Sequence, residues 1–158
     1  MKKGWEMKKL VDVCAFDKAQ GIHRGLPYVG LEHIESHTAR FIGSSEAQPV
    51  KSSTFRFSAK HVLYGRLRPY LNKALAPDFD GHCSTEIFPL KPSREVSREF
   101  LLYWLLADET CVNATCTGAR MPRAQMNEVL SFEIPVPPLA ALEGLKKSLL
   151  HEAFSGEL

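Results

Sequence analysis

The chain has 158 residues, of which 44% are hydrophobic and 24% are charged. This size and composition are typical of one globular domain with its own core. No apolar run reaches the ~18 residues that a membrane span requires, and the start MKKGWEMKKL lacks the apolar stretch of a secretory signal peptide. We therefore expect a cytoplasmic protein without a membrane segment.

The net charge of +2 is small, but the charges are unevenly distributed along the chain. The stretch Lys51–Pro77 contains six basic residues and no acid, and Thr110–Asn127 contains two arginines and no acid. Such stretches are compatible with a polyanionic partner such as nucleic acid. The alternative is that these charges are scattered over a solvated surface.

The four cysteines, Cys14, Cys83, Cys111 and Cys116, do not form a C-x2-C pair. Their spacing is poor for a zinc site, which uses closely paired ligands. We expect reduced, partly buried thiols, as in cytosolic proteins.

The first half of the chain has the alternation typical of β-strands. In TFRF, Phe55 and Phe57 are predicted to share one face and Arg56 to lie on the other, and the strand pattern continues through Val62–Tyr64 to a turn at Gly65. Further strands are expected near Pro27–Leu31, over Thr85–Leu90 with a stop at Pro92, and in FEIPVPP.

The second half has helical spacing. A helix is predicted over residues 93–109 with Ser93 as its N-cap, a short one near Arg123–Leu130, and a terminal one over Ala140–Phe154. Together these elements predict an α+β fold, with a curved mixed β-sheet in the N-terminal half, a helical C-terminal half and a terminal helix.

Two patterns resemble catalytic sites but have unsuitable spacing. In HIESH, from His33 to His37, the glutamate is two residues after the first histidine, whereas zinc proteases place it directly after. Asp78, Asp80 and Glu86 suggest a metal-dependent nuclease, which stays open as an alternative function. No phosphate loop, nucleophile elbow or dinucleotide fingerprint is present. We expect no catalysis, no cofactor and no bound metal.

Two basic motifs, LYGRLRPYLNKA (63–74) and TGARMPRAQM (117–126), indicate nucleic-acid contact. Arginine has a planar fork suited to phosphates or guanine edges, and asparagine can pair with adenine. The alternative is a solvated strand and a charged loop. The candidate DNA-binding residues are Arg66, Arg68, Tyr70, Lys73, Arg120 and Arg123, with Lys18, Gln20, His23 and Arg24 of the first loop as second choices.

The blocks HVLYGRLRPYLNKALAPDFDGHCSTEIFPLKP, TGARMPRAQMNEVLSFEIPVPPLA and LKKSLLHEAFSGEL carry a resemblance that covers nearly the whole chain. The chain resembles the specificity subunit of type I restriction–modification systems, and more narrowly one target recognition domain of that subunit. The resemblance implies recognition of one half of a split site in double-stranded DNA. Methyl transfer and ATP-driven cleavage would belong to partner subunits.

The resemblance also implies a division of the chain. Residues 1–138 would form the target recognition domain and 139–158 a short spacer or dimerisation helix, in which Leu142, Leu145 and Leu149 form one apolar stripe. The expected partners are DNA, a methyltransferase subunit, a restriction or translocase subunit indirectly, and a second copy in a weak homodimer. A further alternative is an assembly fragment that binds partner subunits without binding DNA.

Overall fold

The computed structural model describes residues 4–107, 110–111, 114 and 123–138. The strands are β1 Glu6–Lys9, β2 Cys14–Phe16, β3 Gln20–Gly21, β4 Tyr28–Val29, β5 Thr54–Phe57, β6 Val62–Gly65, β7 Ala74–Leu75, β8 Gly81–Cys83, β9 Ile87–Pro92 and β10 Glu133–Val136. The helices are α1 Leu10–Val13, α2 Arg98–Leu106 and α3 Met126–Val129, and Leu31–His33 and Pro69–Leu71 form single 3-10 turns.

The described strands form three sheets rather than one. β1 pairs with β10, the β6–β9 sheet has the order β2-β9-β6-β7, and the β5–β8 sheet has the order β3-β5-β8-β4. Only β4 and β8 pair in parallel among these strands. The α+β class is confirmed, whereas a single curved sheet and a helical second half are not, because β8, β9 and β10 all lie beyond residue 80.

Two buried clusters hold the sheets together. The larger one joins the β6–β9 sheet to α1, α2 and β10 through side chains that include Leu10, Tyr64, Phe88, Leu101 and Ile134. The smaller one, which includes Val29, Phe57, Leu63 and Ile87, lies between the two four-stranded sheets. Burial of apolar area is the main stabilising term in such a core.

The alternation predicted for TFRF is confirmed, because Phe55 and Phe57 are buried and Arg56 is exposed. The boundaries of other elements differ from the prediction. α2 begins at Arg98 rather than near residue 93, since Ser97 caps it by accepting a hydrogen bond from the Phe100 amide at 3.1 Å. Ser93 is held beside the sheet, where its amide donates to the Val13 carbonyl at 2.8 Å.

The strand expected over Thr85–Leu90 is shifted towards the C-terminus. β9 runs from Ile87 to Pro92, and Pro92 pairs with Cys14 of β2 instead of ending the strand before it. The strand expected near Pro27–Leu31 is shortened to β4, Tyr28–Val29, and continues into a 3-10 turn. The short helix expected near Arg123–Leu130 is the four-residue α3.

Several predicted features lie outside the described residues, namely Arg120, Cys116 and the terminal helix with Leu142, Leu145 and Leu149. In the part that the structure describes, no helix combines the length and apolar character needed to cross a membrane. Cys14 is buried, and this burial raises the pKa of its thiol to about 12.

Candidate nucleic-acid interface

The β5–β8 sheet has one apolar face and one polar face. Phe55, Phe57 and Cys83 point into the smaller core cluster. Since side chains alternate along a strand, Thr54 and Arg56 point to the opposite side. His82 lies directly across from Arg56, so it shares that side. This polar face is thus built from alternating residues of strands that are anchored in the core.

A row of hydrogen bonds crosses the polar face. The Nδ1 atom of His23 lies 3.1 Å from Thr54 Oγ1, which in turn lies 2.9 Å from His82 Nδ1. The Nε2 atom of His82 lies 3.0 Å from the carbonyl oxygen of Gln48. Thr54 and His82 are buried, and buried polar groups of this kind need such partners. The row therefore ties the loop with His23 and the loop with Gln48 to the sheet.

The same two loops enclose a surface groove of about 570 Å³. It is lined by Ile22, Arg24, Gly25, Pro49, Val50 and Lys51. The loops are held together by a hydrogen bond from the Gln48 amide to the Leu26 carbonyl at 3.1 Å. At Gly25 the chain has φ = 74°, which glycine adopts without strain. The fold thus brings the cations Arg24 and Lys51, which are far apart in sequence, to one concave site.

Two further exposed cations, Arg56 and Lys18, lie on β5 and on the segment that leads into β3. Arg56 is exposed on the polar face of β5, and its amide donates to the Ala19 carbonyl at 2.9 Å. The adjacent Lys18 is exposed, with its Nζ 5.3 Å from the centre of the Phe16 ring. Lys18 and Arg24 were sequence candidates, whereas Arg56 and Lys51 were not. Two sequence features could have identified Arg56 and Lys51. Both lie in the basic stretch Lys51–Pro77, which contains no acid, and the predicted alternation places Arg56 on the solvent face of its strand.

The turn after β6 presents Arg68 and Tyr70 to solvent. Arg68 has φ = 51° and precedes the 3-10 turn that begins at Pro69. The Tyr70 side chain is 47% exposed. Lys73, by contrast, is half-buried and donates from Nζ to the Leu31 carbonyl at 2.7 Å. Of these three candidates, Arg68 and Tyr70 are the ones whose side chains are open to a ligand.

Arg66 and Arg123 both face one carboxylate, and with Glu86 they form what we call the Glu86 cluster. Arg123 donates to Glu86 from Nε at 3.1 Å and from a terminal nitrogen at 3.2 Å. The hydrogen bond to Glu86 raises the pKa of Arg123. Arg66 Nε lies 3.7 Å from Glu86, and its guanidinium lies 5.3 Å from the Phe88 ring centre. The cluster thus places two arginines around one carboxylate.

The groove and the Glu86 cluster lie at opposite ends of the parallel pair β4 and β8. The loop from Arg24 leads into β4, and Pro27 accepts a hydrogen bond from the His82 amide near the start of β8. Glu86 follows the other end of β8, where its carbonyl accepts from the Arg66 amide at 2.9 Å. Since these strands are two and three residues long, they span only about 10 Å at ~3.3 Å per residue. Basic side chains thus lie at both ends of this short sheet.

Asp80 and Glu86, two of the acids considered for a nuclease, bind different partners. Asp80 accepts a hydrogen bond from the Ala59 amide at 3.1 Å, and Glu86 binds the two arginines. Within the described ranges, no group of three or more His, Cys, Asp or Glu residues is placed to hold a metal ion. In HIESH, His33 accepts from the Gly30 amide, whereas His37 pairs with Asn72.

A small α+β domain with a polar sheet face and basic loops at its edges has the features of a nucleic-acid-binding domain. Residues 2–144 match the model of a family described as type I restriction modification DNA specificity domain. The chain belongs to this family, as the resemblance in the sequence predicted.

Known relatives agree with this assignment. The chain is 26% identical over 163 residues to the type I restriction enzyme EcoDI specificity subunit of Escherichia coli, a match that covers 83% of this chain and 36% of that protein. The chain thus spans about a third of the length of this curated relative.

Two solved structures share the fold. One chain, from work on complex assembly and conformational transition of the type I R-M system, has a TM-score of 0.78 at 24% identity, with 99% of this chain and 43% of that chain covered. The HsdS subunit from Thermoanaerobacter tengcongensis has a TM-score of 0.68 at 23% identity, with 96% and 44% covered.

Proposed function

We propose that this chain recognises double-stranded DNA as one target recognition domain of a type I restriction–modification specificity subunit. Its role is to select the sequence, while methyl transfer and cleavage are carried out by partner subunits. The family assignment supports this role. The name of the E. coli relative, a specificity subunit of a type I restriction enzyme, supports it as well.

The observation that carries the proposal is the groove with Arg24 and Lys51 beside the polar face with Arg56. Clustered cations neutralise phosphates, which provide most of the affinity of a DNA-binding protein and determine its position on the duplex. On the polar face Thr54 and His82 are buried, so the side chains able to reach base edges are the exposed Arg56 and the half-buried His23 of the adjoining loop. We assign the groove to phosphates and the polar face to bases.

The sequence candidates at the other end of the sheet form a second proposed contact region. Arg68 and Tyr70 are exposed and are proposed to reach the duplex directly. Arg66, Arg123 and Lys73 have protein partners, so we propose that they attract the duplex at longer range rather than contact it directly. Arg120 stays a proposed contact on sequence grounds alone.

The proposed partners follow from the same role. A methyltransferase subunit would bind this chain directly, and a restriction or translocase subunit would join through it, in the cytoplasm. We propose residues 1–138 as the recognition domain and 139–158 as a helix for association, including a weak homodimer. The recognition role itself requires neither a cofactor nor a catalytic residue.

A salt titration with matched variants tests the proposal. For a labelled random duplex we expect a Kd of roughly 10⁻⁴–10⁻⁶ M near physiological salt, with a log–log salt slope of about −0.9 for each phosphate neutralised. Arg24→Gln with Lys51→Gln should make this slope shallower by about 1.8. Lys91→Gln with Arg94→Gln, which changes two exposed cations at and after the end of β9, should leave it unchanged.

The other functions make different predictions in the same experiment. An affinity that does not depend on salt would contradict phosphate contact. Binding to a methyltransferase subunit without any binding to DNA would favour an assembly fragment. Cleavage of the duplex only when Mg²⁺ is added would favour a nuclease that uses Asp78, Asp80 and Glu86.

A further inference from the structure

The hydrogen bonds of the described histidines assign a tautomer to each ring. A backbone amide can only donate, so the Nδ1 atoms of His33 and His61 are acceptors for Gly30 and Ser58. Asn72 Nδ2 also donates to the Leu106 carbonyl, which establishes it as the amide nitrogen, so His37 Nδ1 accepts from it. In a neutral ring the hydrogen then resides on Nε2. These three rings therefore share one tautomer.

His82 has the same tautomer for a different reason. Its Nε2 faces the Gln48 carbonyl, which can only accept, so Nε2 carries the hydrogen. The ring is fully buried, and it contacts the hydroxyl of Thr54 and the rings of Tyr28 and His23. In a neutral ring the other nitrogen, Nδ1, then holds a lone pair. His82 Nδ1 is thus an acceptor for the hydroxyl of Thr54.

This arrangement gives His23 the opposite tautomer to that of His33, His37, His61 and His82. The Thr54 hydroxyl also lies 3.4 Å from the Gly21 carbonyl, but its 2.9 Å contact with His82 Nδ1 is shorter and takes its single hydrogen. Thr54 Oγ1 can then only accept from His23. The hydrogen of His23 must then lie on Nδ1, 3.1 Å from Thr54 Oγ1. The other ring nitrogen, Nε2, holds a lone pair and has no hydrogen-bond partner among the described residues. His23 is half-buried, and among the described residues Arg66 Nε is the only buried side-chain nitrogen or oxygen without a partner, so His23 Nε2 is accessible to solvent.

The charge state of His23 keeps Nε2 an acceptor at neutral pH. Loss of hydration lowers the pKa of His23, and the nearby His82 and Arg56 lower it further. The surrounding cations Arg24 and Arg56 can only donate hydrogen bonds. They suit phosphates, guanine O6 and N7, or thymine O4, but not an amino group. His23 supplies the acceptor that these neighbours lack.

We propose that His23 is a specificity-determining residue, whose Nε2 accepts a hydrogen bond from an exocyclic amino group in the major groove. The amino groups presented there are N6 of adenine and N4 of cytosine. This inference rests on the proposed DNA-binding function and adds the class of base edge that is read. Thr54 and His82 are positioning residues, because they act by orienting the His23 ring and its hydrogen.

The tautomer can be tested without DNA. Long-range ¹H–¹⁵N NMR spectra of the full chain distinguish a protonated ring nitrogen from an unprotonated one. At neutral pH we expect an unprotonated Nε2 for His23 and a protonated Nε2 for His33, His37 and His61, which serve as internal controls. Thr54→Val, which keeps the shape but removes the hydroxyl, should return His23 to a mixture of tautomers. A protonated Nε2 in His23 would overturn the inference whatever the DNA result.

The base preference can be tested by selection from a library of randomised duplexes. We expect the wild-type chain to enrich adenine or cytosine at one position, and the enriched base distinguishes the two amino donors. His23→Leu should lose this preference, by about fivefold for one neutral hydrogen bond, while the rest of the selected sequence stays the same. If the preference persists in His23→Leu, His23 does not read this base, and the proposed DNA-binding function is unaffected. Absence of any enrichment by the wild type would overturn the proposed function together with it.

Discussion

The Glu86→Gln substitution tests whether the Glu86 cluster faces DNA. The carboxylate binds Arg123 at 3.1 Å and Arg66 at 3.7 Å, and an amide has nearly the same shape. The substitution would remove one negative charge beside the two arginines without opening a cavity. The side chains of Glu86 and Arg66 are 30% and 31% exposed, so solvent screens part of their interaction. Arg66 Nε is itself buried without a hydrogen-bond partner among the described residues, so loss of the carboxylate should also lower stability.

The effect on DNA binding can be derived from counterion release. Each additional phosphate contact makes the log–log salt slope steeper by about 0.9. Over a fourfold range of salt, from about 50 to 200 mM, one contact thus changes the ratio of the two affinities by about 3.5-fold. Glu86→Gln should tighten binding at low salt and increase this ratio by about 3.5-fold for one arginine, and by more if both arginines reach phosphates.

The assay is fluorescence anisotropy of a labelled duplex at several salt concentrations. Glu133→Gln is the matched control, since it makes the same change of charge at an exposed position of β10, in the separate two-stranded sheet. Urea unfolding of both variants checks that the fold is kept. If Glu86→Gln shifts the log–log salt slope no more than Glu133→Gln does, the Glu86 cluster does not face DNA and its arginines only stabilise the fold.

Three further results are expected. If Arg68 reads a base, Arg68→Ala should weaken DNA binding by about 1–3 kcal/mol and relax the preference at one position of the site. Lys73→Ala should weaken binding to all sequences alike. If neither substitution affects folding or binding, that turn does not contribute to DNA recognition. Because burial lowers the pKa of His23 below its ordinary ~6.5, its neutral form stabilises the fold above that pH, and this contribution is lost as the pH falls through the lowered value. Urea midpoints of the wild type should therefore drop more between about pH 7.5 and 5.5 than those of His23→Gln, and the reverse order would contradict the assignment. On sequence grounds, Leu145→Glu with Leu149→Glu should abolish dimer or partner binding in gel filtration and leave the domain folded; an unfolded monomer would show that the helix packs on its own domain.

Local patterns predicted the elements whose signals are contained within a few residues. The alternation in TFRF placed Phe55 and Phe57 inside and Arg56 outside, as the structure shows. The strand in FEIPVPP is β10. The motif blocks predicted the family, because they carry the resemblance to it and together extend over nearly the whole chain.

Element boundaries were harder to predict because local signals were ambiguous. Both Ser93 and Ser97 are suitable N-caps. Only the pairing of β9 with β2 shows that the chain stays extended to Pro92, which leaves Ser97 as the cap. Similarly, strands of two residues such as β3 and β4 are too short to show a period.

The chain's composition and motifs by themselves determined an α+β protein of the specificity family with basic segments suited to DNA. Only the tertiary structure decided how those basic residues are used, because the charge that a ligand meets depends on spatial neighbours rather than on sequence neighbours. Arg66 and Arg123 are candidates in two separate motifs, yet folding brings both to Glu86. Arg24 and Lys51 come together in one groove because two distant loops cover the same sheet. The tautomer of His23 depends on Thr54 and His82, which only the pairing of β3, β5 and β8 places beside it.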